Sequence, residues 1–166
     1  FNVTGAITDL SSVLKMVAGS GYQKINLIGS SFGGSIALLY MDLPYREKIS
    51  SLVLLNPVVD YQRTIKNAQL DKDGGLFSAG HLEVLLTQGK LTVEEGFDAS
   101  LDFVNQLLLI KPFESIQKIT IPTLVFHGTS DELVPHLISV DHFENAEVCE
   151  LDLVERAGHA FKSREA

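Results

Sequence analysis

The string Gly29-Ser30-Ser31-Phe32-Gly33-Gly34 constrains the fold more than any other feature of this 166-residue chain. An apolar segment, Lys24 to Ile28, precedes it, and a helical pattern, Ser35 to Met41, follows. Leu27 and Ile28 are consecutive apolar residues, which suits a strand buried on both faces better than a half-exposed one. A serine held at a sharp strand-to-helix turn needs an unusual backbone conformation and close approach of neighbouring chain. Gly29 and Gly33 lack the Cβ atoms that would obstruct such packing. The spacing is GxSxG. It lacks the Lys-Ser/Thr ending of a P-loop and the GxGxxG spacing of a dinucleotide turn. The string is therefore read as a nucleophile elbow centred on Ser31, with an ordinary structural turn as the plainer alternative.

The rest of the chain supplies a matching framework. Ile7, Leu10, Val13, Leu14, Val17 and Ala18 recur three and four apart, predicting a helix over Thr4 to Ala18, with Thr4 as candidate cap and Gly19 or Gly21 as the stop. Apolar strands are expected over Leu52 to Leu55, Thr123 to Phe126 and Val148 to Val154, and a helix over His136 to Phe143. This alternation predicts an α/β protein with a mostly parallel sheet flanked by helices. The interval from Val58 to Ile121 is too long for a simple crossover and has helical periodicity, so a helical cap insertion within a single domain spanning residues 1–166 is expected. Leu76, Phe77, Leu82, Leu85, Leu86, Phe97, Phe103 and Leu107 of that interval suit core packing as well as an acyl pocket.

Composition excludes several partners. Hydrophobic residues at 45% and charged residues at 20% suit a packed globular domain. Lys plus Arg 13 against Asp plus Glu 21 gives a net charge of −8, with no basic cluster to follow a phosphate backbone, so nucleic acid is not an expected partner. Apolar runs such as Leu107 to Ile110 fall far short of the roughly 20 residues that span a bilayer. Cys149 is the sole cysteine, so no internal disulfide can form, and with no signal-like leader the expected location is cytoplasmic. No paired-cysteine or HxxxH spacing points to a metal, and no cofactor is expected.

A serine hydroxyl is a weak nucleophile at neutral pH and needs a base, itself oriented by a third group. Asp131 and His159 both lie in loops just beyond predicted strands. In an open parallel sheet, such loops and Ser31 gather at the same edge, outside the carboxyl ends of the strands. Asp60, after the strand at Leu52 to Leu55, is the alternative acid, leaving Asp131 to cap its own turn. His127 reads as a structural histidine bonded to backbone, and His81, His136 and His142 have no comparable context. Asp9, Asp42, Glu94 and Glu95 read as helix-terminal or solvated charges.

The order Ser31, Asp131, His159, the HGxxDxxVP string from His127 to Pro135 and the late Gly158-His159 pair together resemble serine hydrolases of the α/β-hydrolase superfamily, in particular its small esterase, lysophospholipase and acylaminoacyl-peptidase-like branches. The resemblance implies an α/β-hydrolase fold, with residues 58–121 as the lid between the sixth and seventh family strands. It also implies hydrolysis of small to medium acyl esters by a Ser31, His159, Asp131 triad, with the Phe32 backbone N–H as an oxyanion donor. The same triad could serve a peptidase or amidase, and a non-catalytic interaction domain is the alternative from another class. In the family a second oxyanion donor comes from a loop after an early strand, and this chain reaches its elbow at residue 31 without one. An amino-terminal segment of the same protein, or a separate chain, is therefore the expected partner, and a homo-oligomer is left open.

Overall fold

The computed structural model of the chain describes residues 2–43, 49–67, 79–94 and 97–161. Helix α1 spans Val3–Gly19, strand β1 Ile25–Ser30 and helix α2 Phe32–Tyr40. Strand β2 spans Ile49–Leu55, α3 Tyr61–Asn67, α4 Ala79–Gln88, β3 Lys90–Glu94, β4 Phe97–Ser100 and α5 Leu101–Leu109. A 3₁₀ helix at Pro112–Lys118 leads to β5 (Thr123–Gly128), α6 (His136–Phe143) and β6 (Cys149–Val154).

Four strands form one parallel sheet in the order β1-β2-β5-β6. Each step from strand to strand passes through helix, as parallel pairing requires. One face is covered. Ile25, Leu52, Leu54 and Val125 pack there with Leu14 of α1, Ala37, Leu38 and Tyr40 of α2, Ile116 of the 3₁₀ helix, and Ile138 and Phe143 of α6. A second cluster, Val3, Ile36, Tyr61, Ala99, Phe103 and Leu107, ties the interval after β2 to α1 and α2.

The cap of α1 is Asn2, not Thr4: the Asn2 side chain accepts the Gly5 N–H at 2.7 Å. Thr4 lies inside the first turn, where its own N–H is a donor needing a partner and finds Gln106 of α5. The interval 58–121 contains α3, α4, α5 and the 3₁₀ helix, but also the antiparallel hairpin of β3 and β4, which helical periodicity does not anticipate. Lys90, Leu91 and Thr92 alternate polar and apolar over too short a stretch to be distinguished from a helix end. Glu94 accordingly ends a strand, not a helix. Of the apolar residues singled out here, Leu85, Phe103 and Leu107 are buried and Leu86 is exposed. Leu76, Phe77 and Glu95, with the side chains of Leu82 and Phe97, lie outside the described residues.

Candidate active site

The turn at Ser31 is built by backbone bonds before any side chain takes part. The Ser31 N–H extends the β1–β2 ladder by donating to Leu55 O at 2.9 Å, while its carbonyl accepts from Gly34 N at 3.0 Å and Val58 N at 3.1 Å. The reversal forces Ser31 to φ 52°, ψ −123°, a region that a residue with a Cβ occupies only when its surroundings compel it. A Cβ on Gly29 would sit 2.7 Å from Gly33 O and 2.9 Å from Gly34 Cα. The expected partner glycine is corrected, however. A Cβ on Gly33 would meet open space, whereas one on Gly34 would lie 2.8 Å from Pro57 Cβ. Gly34, and not Gly33, makes the close approach, because the first turn of α2 presses onto the loop after β2 on that side. Ser35 reinforces this contact by donating to Val58 O at 2.5 Å.

Ser31, His159 and Asp131 are brought together. His159 Nε2 lies 2.8 Å from Ser31 Oγ, and His159 Nδ1 lies 2.7 Å from Asp131 Oδ2. A carboxylate can only accept, so Nδ1 carries the proton and Nε2 is the acceptor for the Ser31 hydroxyl. The other carboxylate oxygen, Oδ1, accepts from Leu133 N at 3.0 Å and Val134 N at 2.8 Å. Burial of Asp131 favours its neutral form, but the His127 imidazole, whose Nε2 lies 3.5 Å from Oδ2, and the hydrogen bonds from His159 and the Val134 N–H outweigh burial and hold the carboxyl well below the usual range. It is an anion at neutral pH, fixed in one orientation.

Asp60 takes another role. Its Oδ1 accepts the Arg63 N–H at 3.0 Å as the cap of α3, and its Oδ2 lies 3.5 Å from His142 Nε2. His159 is paired with Asp131 instead. His127 is fully buried, its Nε2 bonded to Val134 O at 2.9 Å and its Nδ1 to Ser139 Oγ at 2.8 Å. His142 stacks on Phe113 with ring centroids 4.5 Å apart, and His136 begins α6. Phe32 opens α2, so its N–H belongs to the first turn, where donors lack intrahelical acceptors. Its ring is held by Tyr61 at 5.6 Å and Phe103 at 5.9 Å. Burial pushes the Tyr61 phenol up to about 12, so it is a neutral wall of this aromatic cluster. No group of three or more His, Cys, Asp or Glu placed to hold a metal occurs among the described residues. No described helix is long and apolar enough to cross a membrane.

Sequence reasoning passed over Asn56 and Gly128. Both are buried at the strand ends beside the triad, and Asn56 has φ 44°. An Asn immediately after an apolar strand was the available signal, since Asn tolerates the left-handed region and carries both donor and acceptor.

The family described as alpha/beta hydrolase fold matches residues 6–78, a range that contains Ser31 but neither Asp131 nor His159. No curated protein matches the sequence. Among solved structures, Est1E from Butyrivibrio proteoclasticus is similar with a TM-score of 0.78 and 21% identity, covering 98% of this chain and 64% of its own. The same protein with ferulic acid bound has a TM-score of 0.79 at 21% identity, covering 98% and 62%. Monoacylglycerol lipase from Paleococcus ferrophilus has a TM-score of 0.61 at 17% identity, covering 96% and 67%. This chain therefore has the α/β-hydrolase fold, and it spans under two thirds of the length of the Est1E structures it resembles.

Proposed function

We propose that this chain carries the catalytic triad of a serine hydrolase that cleaves carboxylic esters of small to medium acyl groups. The observation that carries the reading is the unbroken line Asp131–His159–Ser31, with contacts of 2.7 and 2.8 Å ending on a serine at φ 52°. His159 Nε2 removes the Ser31 proton as Oγ attacks the ester carbonyl carbon. Asp131 stabilises the imidazolium that forms and keeps the ring in its useful tautomer. The protonated Nε2 then gives its proton to the departing alkoxide, leaving Ser31 acylated. Water, deprotonated by His159, attacks the acyl carbon and releases the acid with Ser31 restored. The Phe32 N–H donates to the developing oxyanion, a contact whose loss in a comparable site costs about 2.7–4 kcal/mol. The ester class accords with the name of the similar Paleococcus monoacylglycerol lipase.

A further segment of polypeptide, on the same or a separate chain, completes the site. β1 lies at the edge of the sheet among the described residues, pairing with β2 alone, and Ile28 at its centre is 65% exposed. A strand edge with apolar side chains is otherwise an aggregation hazard. The added segment supplies the second oxyanion donor.

A fluorophosphonate probe on the full-length polypeptide tests the reading. Labelling is expected at Ser31, together with hydrolysis of short-chain nitrophenyl esters, and both should vanish in Ser31→Ala. A folded full-length protein that neither labels nor hydrolyses would instead be a non-catalytic interaction domain, while turnover of amides but not esters would move it to the peptidases.

A further inference from the structure

Three of the loops at the carboxyl edge of the sheet meet on one side chain. Asn56 follows β2, is fully buried and has φ 44°. Its backbone N–H donates to Phe126 O at 2.8 Å, and its Oδ1 accepts the N–H of Gly128, the last residue of β5, at 2.8 Å. Its Nδ2 donates to the carbonyl of His159 at 2.5 Å. The segment being held is irregular. Between Val154, where β6 ends, and His159 it turns through Arg156 at φ 59°, and past His159 through Phe161 at φ 55°. It rests on the loop after β5 through Thr129 N to Val154 O and Ser130 N to Ala157 O, each 3.0 Å, and Arg156 N to Thr129 Oγ1 at 2.9 Å, all before His159 is reached. Phe161 N bonds back to Gly158 O at 2.9 Å, which closes the turn on itself without attaching it to the sheet. Among the described residues, the Asn56 amide joins the His159 carbonyl to the ends of β2 and β5.

We propose that Asn56 is a positioning residue for the base, setting where His159 stands relative to Ser31. This rests on the triad reading above. The Asn56 side chain bonds to the Gly128 N–H and the His159 carbonyl, so it acts on the base through the His159 main chain. The amide is suited to the task because one planar group offers an acceptor to Gly128 and a donor to His159, and because Asn accepts a positive φ. Releasing the carbonyl would let Nε2 drift from Ser31 Oγ, and a displacement of about 1 Å can cost a hundredfold in rate.

Asn56→Asp separates this from a purely structural role, since it keeps the shape and the acceptor for Gly128 while removing the N–H that holds His159. In the full-length protein, kcat for a short-chain nitrophenyl ester is expected to fall about 10- to 100-fold with KM within about threefold, and fluorophosphonate labelling of Ser31 to slow in parallel. Asn56→Ala should fall at least as far. Ile116→Ala, a core truncation in the 3₁₀ helix, provides the stability control: it should lower the melting temperature yet keep kcat at temperatures where it is folded. The proposal is overturned if kcat of Asn56→Asp stays within about twofold of wild type, if the loss falls on KM, or if both Asn56 variants fail to fold while Ile116→Ala folds. A wild-type protein that does not label at Ser31 would overturn the triad reading instead, so the two failures are told apart.

Discussion

Asp131 is only 6% exposed, and it is the surrounding donors, two backbone N–H groups and the imidazoles of His127 and His159, that keep it charged. Because these bonds depress its folded-state pKa below the unfolded value of about 3.9, they stabilise the folded protein fully at neutral pH. The contribution is lost as pH falls from about 4 through the lower folded value. Asp131→Asn removes the titration while nearly preserving shape. Its urea midpoint should therefore lie below wild type at pH 6, with the gap narrowing as the buffer is taken below pH 4. A gap independent of pH would contradict the ionised, bonded carboxylate. In the same variant an Asn can present the wrong partner to His159 Nδ1, and a loss of acyl-transfer rate of about 10⁴-fold is expected by analogy with other triads. Asp60→Asn should leave the rate nearly unchanged, since Asn caps a helix about as well as Asp and Asp60 serves α3.

At the scale of elements, apolar runs mark the strands but not their ends. The segment Lys24 to Ile28 became β1 through Ser30, and Thr123 to Phe126 became β5 through Gly128. Gly29, Ser30, His127 and Gly128 end the hydrophobic pattern, yet the parallel ladder continues through them because it is made by backbone. These polar and glycine positions are where the strands hand over to the site, so the pattern fails at the functional edge. Helix α2 starts at Phe32, ahead of the expected Ser35, since the elbow sets its first turn in spite of two glycines. The order Ser31, Asp131, His159 was legible because each residue follows a strand. The bridging role of Asn56 was not, because it depends on three strands meeting in space. The glycines of α2 give a test at this scale. Gly33→Ala places a methyl in open space on a helix and should stabilise by up to about 1 kcal/mol. Gly34→Ala drives a methyl into Pro57 and should destabilise by about 1–3 kcal/mol, both read from urea midpoints. Equal effects would mean that the turn of α2 does not press on the loop after β2.

Across the whole molecule, the parallel sheet delivers Ser31, Asp131 and His159 to one edge and, among the described residues, leaves apolar side chains of one face exposed. Ile28, Val53 and Leu124 are register partners across β1, β2 and β5, so their side chains form one apolar row on the face opposite α1, α2 and α6. Ile28 is 65% and Leu124 41% exposed. Parallel sheets are ordinarily covered on both faces, and the row is what such a cover would bury. The proposal that further polypeptide completes the molecule therefore makes a prediction that a free surface does not. Tyr22, in the loop before β1, is 63% exposed, nearly the same as Ile28, but it lies outside the row. If exposure in the described residues were the whole account, Ile28→Glu and Tyr22→Glu would be equally harmless in the full-length protein. If the row is covered, Ile28→Glu loses apolar burial and desolvates a carboxylate, which together should cost at least about 2 kcal/mol, while Tyr22→Glu stays within about 0.5 kcal/mol of wild type. Urea unfolding of both variants measures the difference, and equal midpoints would show that the row faces water in the working protein.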